Sequence, residues 1–156
     1  MIFYRSAQGS RDVSIPLVRT LSTTSLVAYP AGALLLALGP DALATSLAGY
    51  GLILLALVAY APLTGSSVQR IVGEETRLLD EYELRLRGRA LSASYATFTG
   101  LALLLVLYAA IASDKGLWTP DSYEAYNGVF WGIFLYASVL PTALLSWMVE
   151  PAFTGE

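Results

Sequence analysis

The stretch from Ser66 to Ser113 constrains this chain more than any other. As far as Arg89 it carries charge on nearly every turn; from Ala90 to Ser113 it carries none, and no proline interrupts it. Nothing in the sequence forces a helix to stop where the composition changes. The stretch therefore reads as one long helix, its first half (66–90) in water and its second half in a membrane. Apolar residues make up 56% of the chain and charged residues only 13%, with a mean hydropathy of +0.60. Soluble domains average about 25% charged residues, so the shortfall points to lipid as the solvent. A length of 156 residues suits one domain.

Four apolar runs approach the ~20 residues that cross a hydrocarbon core: 15–38, 42–63, 91–113 and 125–149. Residues 1–14 form an arm with Arg5 and Arg11. Ser14 is placed to cap the first run, with Pro16 in its first turn, and Arg19 is expected to snorkel toward headgroups. Pro30 lies mid-run and frees a carbonyl that another group must satisfy. A charged arm before an apolar run, with Ala42-Leu43-Ala44 behind it, also resembles a secretory signal. The run exceeds the usual ~7–15-residue signal core, so we read it as a retained span. Gly39-Pro40-Asp41 makes a tight turn, with Asp41 the expected cap of the second run. Thr119-Pro120 are expected to open the fourth, and Pro141 to kink it. Trp118, Tyr123, Tyr126 and Trp147 mark membrane interfaces.

Within 66–90, Ser66 and Gln69 stand at capping-box spacing. Val68, Ile71, Val72, Leu78, Leu79, Tyr82 and Leu86 follow helical periodicity and make one apolar face. Glu81 and Glu83 each precede an arginine, Arg85 and Arg87, by four residues, the favourable order for surface pairs. Arginines are concentrated in the arm and in 66–90, whereas the other two connections hold only Lys115, the sole lysine. The positive-inside rule then predicts both termini and the 66–90 segment on the cytoplasmic side. The expected fold is all-α: a four-transmembrane-helix bundle with a cytoplasmic amphipathic extension of the third helix.

The absence of Cys and His removes disulfides, thiolate chemistry, histidine-bound metals and haem, and Ser-His-Asp triads from this chain. A net charge of −3 argues against nucleic acid. No ionisable residue lies inside the runs between Leu21 and Leu63, Leu91 and Ser113, or Ala125 and Val149, and buried charge is what proton-coupled transport or intramembrane hydrolysis would use. No cofactor, metal or catalytic residue is expected. The span tyrosines read as packing residues with one interhelical hydrogen bond apiece.

Two features remain as candidate contact sites. Gly88, Ser92, Ala96 and Gly100 form a small-residue stripe, and Gly128 with Gly132 a GxxxG pair; both admit a close helix partner. Asp80, Glu81, Glu83, Arg85, Arg87 and Arg89 form a charged collar that could meet headgroups, a partner's basic loop or a metal ion, although a solvated helix face with arginines that fix topology is the leading explanation. Leu79-Asp80-Glu81-Tyr82-Glu83, followed by Arg85, Arg89-Ala90 and Tyr95, resembles a pattern in uncharacterised small four-span bacterial membrane proteins, in which an acidic turn and a few arginines lead into a span. The resemblance implies a multi-pass inner-membrane protein and brings no activity.

The leading functional expectation is a non-enzymatic accessory or interaction subunit, with lipids and other membrane subunits or a second copy as partners. The alternatives are a membrane-interface enzyme or lipid-binding protein using Asp80, Glu81, Glu83 and Arg85, and a homo-oligomeric channel or carrier.

Overall fold

The computed structural model describes residues 13–73 and 75–149. The arm before Val13 and the exit at Glu150-Pro151 lie outside the described residues. Five α-helices follow in order: α1 (Ile15–Leu38), α2 (Leu43–Leu63), α3 (Ser67–Gly73), α4 (Glu81–Lys115) and α5 (Tyr123–Met148), with a 3₁₀ turn at Thr76–Leu78. All but α3 are long and apolar enough to cross a membrane, as an all-α four-span chain requires.

The continuous rod expected from Ser66 onward is interrupted. The seven-residue α3 ends at Gly73, and Glu75, Leu79 and Asp80 are all extended. The cause is a stronger cap further along. Asp80 accepts from the Glu83 amide at 2.7 Å while the Glu83 carboxylate accepts from the Asp80 amide at 3.3 Å, a reciprocal box that satisfies two otherwise orphaned donors. A new helix therefore starts at Glu81, and it runs unbroken through Gly88 to Lys115. The seven apolar positions expected on one face are split accordingly. Val68, Val72, Leu79 and Leu86 are buried, whereas Leu78 and Tyr82 are exposed.

Other termini also depart from expectation. Ser14 occupies the cap position of α1 without a side-chain bond, and Ala42 rather than Asp41 precedes α2. Ser122, not Thr119, caps α5, accepting from the Ala125 amide at 3.3 Å. At the far end of α4, Gly116 adopts φ 63°, the left-handed geometry that lets the Gly116 and Leu117 amides both turn back to the Ala112 carbonyl.

The principal packing runs in series. α2 lies against α1, α1 against α5, and α5 against α4, while α3 bridges α5 and α4. The α1–α2 hairpin is closed by a glycine contact: a Cβ on Gly32 would come within 2.7 Å of the Gly49 carbonyl oxygen, so only hydrogen fits. Pro30 cannot donate to the carbonyl four residues back, and the Tyr136 hydroxyl of α5 donates to that Leu26 oxygen at 2.6 Å. Tyr29 donates to Gly128 O at 2.7 Å and Ser25 to Ala56 O at 2.6 Å. Interhelical bonds of this kind contribute roughly 0.6 kcal/mol each in lipid, up to about 2. By contrast α4 buries only Leu86, Ala90, Ser94 and Ala112.

Gly32→Ala is expected to lose about 1–3 kcal/mol through overpacking, while Gly100→Ala, in open space, should stay within about 0.5 kcal/mol of the parent. Thermal midpoints in one detergent decide it. Equal midpoints would mean the hairpin does not rely on the glycine contact.

Candidate functional site

The antiparallel helix order gathers the polar side chains of the described residues mainly at one end, where α1 begins, α3 lies, α4 begins and α5 finishes. Ser66 ends the turn after α2. Its hydroxyl donates to Leu63 O at 2.9 Å and accepts from the Gln69 amide at 3.2 Å, so half of the expected capping box forms. The Gln69 side chain goes elsewhere: its carbonyl oxygen accepts from the Thr142 hydroxyl at 2.8 Å, with both residues buried. This bond fixes α3 to α5.

Arg19 is held by α5. Its Nε donates to Ser146 O at 2.9 Å and its Nη2 to Val149 O at 3.1 Å, and the guanidinium lies 4.8 Å from the Trp147 ring centroid. The last carbonyls of α5 lack intrahelical partners and carry the negative end of the helix dipole. A cation there satisfies both conditions, and the indole face adds a cation–π contact. The first turn of α1 thereby clasps the last turn of α5.

Part of the charged collar makes folding contacts. Glu83, besides its part in the cap, accepts from Arg70 Nη2 at 2.6 Å, a half-buried pair that ties α3 to α4. Glu81 pairs with Arg85 at 2.7 Å in open solvent, as i,i+4 spacing predicts, where such a pair is worth well under about 1 kcal/mol. Arg87 and Arg89 lie on the following turn of α4. Among the described residues, no group of three or more acids converges on a point where a metal could sit.

The two small-residue motifs fare differently. Gly88, Ser92, Ala96 and Gly100 are all exposed, and a Cβ at Gly88 or Gly100 would meet nothing within 4 Å. Beyond them Leu101 to Ile111 is exposed throughout. The Gly128–Gly132 pair is used inside the chain: a Cβ on Gly132 would stand 3.0 Å from the Tyr29 ring, whose hydroxyl bonds the Gly128 carbonyl. The closest backbone approach falls instead at Gly32 and Gly49, which sequence reasoning missed. A Gly in the middle of each of two runs joined by a tight turn was the available signal.

A surface groove of 580 Å³ runs along α1 from Arg19 and Trp147 to Ala31 and Leu52. A smaller one of 230 Å³ separates α4 from α5 between Tyr95, Phe98 and Ala137. The Tyr60 hydroxyl is buried without a hydrogen-bond partner.

Comparison with protein-family models, curated proteins and solved structures finds no match to this chain.

Thr142→Val should destabilise the fold by about 1–3 kcal/mol, because it leaves the buried Gln69 carbonyl unpaired. Adding Gln69→Leu should recover part of the loss, a coupling of about 0.5–3 kcal/mol. Strictly additive losses in denaturation would mean the two side chains do not act as a pair.

Proposed function

We propose that this protein is a non-enzymatic integral membrane subunit that associates through α4 with another membrane helix, from a different subunit or a second copy. One observation carries the proposal. The stripe Gly88, Ser92, Ala96 and Gly100 is exposed, and nothing among the described residues occupies the space above its glycines. Without a hydrophobic drive between helices in lipid, small residues are what allow backbones to approach and pack. Gly32 and Gly49 show that use between α1 and α2. The α4 stripe has the same chemistry and no partner among the described residues.

Other features fit a structural rather than a chemical role. The acids of the collar serve a cap and ion pairs. The bundle interior is filled by Val18, Leu63, Val139 and Leu145, with Ser22 and Ser25 bonded to backbone; a conducting path would have to run between copies. The proposal includes a bacterial inner-membrane location, in keeping with the resemblance around Leu79–Glu83. It also places both termini, the α3 segment and the arginine-rich start of α4 in the cytoplasm, which the skewed arginine distribution supports, and assigns no role with nucleic acid.

The chain's lack of cysteine makes thiol chemistry a clean readout. Ala96→Cys is expected to give an intermolecular disulfide in native membranes under mild oxidation, either with a second copy or with a cysteine-bearing partner. Gly100→Leu added to it should abolish that adduct. An adduct that persists at full yield despite the leucine would remove the stripe as the contact. For orientation, Asp41→Cys should react with an impermeant maleimide from the outer face of spheroplasts, and Glu81→Cys only after lysis. The reverse pattern would invert the topology.

A further inference from the structure

We propose that the groove beside α1 is a binding site for one anionic phospholipid, with Arg19 at the headgroup and the α1–α2 surface along the acyl chain. The order of chemistry along the groove matches the order of chemistry in such a lipid. Arg19 stands at one end, beside Trp147; Thr20, Thr23 and Thr24 follow; Val27, Ala28, Ala31 and Leu52 complete it. From Arg19 to Ala31 the helix rises about 18 Å at ~1.5 Å per residue, the run from a charged interface well into hydrocarbon. The volume of 580 Å³ falls within the ~300–1,000 Å³ usual for ligand sites.

Charge supplies the headgroup's sign. Arg19 is bonded to two backbone carbonyls and a ring face, which are dipoles and a quadrupole and leave the net charge in place. Among the described residues the ion pairs engage Arg70, Arg77, Arg85 and Lys115, and none engages Arg19. The guanidinium keeps further N–H donors beyond the two in use, in the planar arrangement that suits a phosphate.

The threonines supply the second observation. A hydroxyl on a membrane helix ordinarily donates back to the carbonyl one turn earlier, as Thr20 does to Pro16, Ser94 to Ala90 and Ser138 to Phe134. Among the described residues, the Thr23 and Thr24 hydroxyls, both within α1, have no hydrogen-bond partner. Thr23 lies one helical turn above Arg19 on the same face, at the depth where a phosphate bound to Arg19 would place its glycerol and ester oxygens. Those two hydroxyls then have acceptors that the protein does not provide. Arg19 also lies at the arginine-rich end, which on the proposed topology faces the leaflet side that attracts basic residues through its acidic lipids.

The full-length protein, reconstituted in bilayers of equal parts phosphatidylglycerol and phosphatidylcholine and released into native mass spectrometry, should retain one phosphatidylglycerol per chain, enriched about fivefold over phosphatidylcholine, the factor one basic residue supplies near a charged surface. Arg19→Gln should bring that preference to parity. Because Arg19 also holds the end of α5, Ala31→Trp provides an independent arm: it fills the groove without touching the clasp, and should remove retained lipid of both kinds while keeping the parent's thermal midpoint. Inorganic phosphate added to the detergent-solubilised protein should leave that midpoint unmoved. Equal retention of the two lipids by the parent would overturn the proposal. So would phosphatidylglycerol retention that survives Ala31→Trp, or stabilisation by phosphate alone equal to that by the lipid.

Discussion

Hydrocarbon gives helices no hydrophobic reason to meet, and it leaves no water to satisfy a backbone carbonyl. The described structure answers both conditions with the same device, a side chain on one helix donating to a carbonyl on another. Ser25 reaches α2, Tyr29 and Tyr136 join α1 to α5, and Arg19 completes the α1–α5 seam. Tyr136 shows the logic most clearly. The proline that weakens α1 at Pro30 exposes the acceptor through which α5 is recognised, so the defect and the contact are one feature. Helix α1, which contributes to every one of these bonds, is the centre of the molecule, and the rod that dominates the amino-acid pattern is its outlier.

That inversion explains how far sequence reasoning reached. The four apolar helices were legible because crossing a membrane demands length and apolarity, and both are written along the chain without reference to neighbours. The Glu81–Arg85 pair was legible for the same reason: it is local. The break between α3 and α4 was also written locally, as Asp80 and Glu83 at capping-box spacing behind Gly73, but the apolar period running across it outweighed the cap. A period of three and four positions is compatible with two helices whose faces turn separately toward the same core, and that is what Val72 and Leu86 do.

What the sequence concealed is choice of partner. Gln69 stands where a capping side chain would, and it bonds Thr142, 73 positions later. Glu83 stands where it would pair with Arg87, and its carboxylate pairs with Arg70. Two GxxxG-like patterns look alike on paper, yet Gly132 packs on Tyr29 while Gly88 and Gly100 meet nothing among the described residues. Arg19 is the sharpest instance. Its position near a span terminus suggests a solvated anchor, and only the antiparallel return of α5 makes it a cap for carbonyls at the opposite end of the chain.

That clasp has a bearing on the order of assembly. Arg19 and its acceptors are separated by 127 and 130 positions, and chains are made from the N-terminus onward. The α1–α2 hairpin has all its parts as soon as Leu63 has emerged, whereas the guanidinium has no carbonyl to hold until the last span is complete. Until α5 has been inserted, the Arg19 guanidinium therefore lacks the two carbonyls and the indole face that hold it in the folded bundle, so the α1–α5 seam can close only once that later helix has joined it.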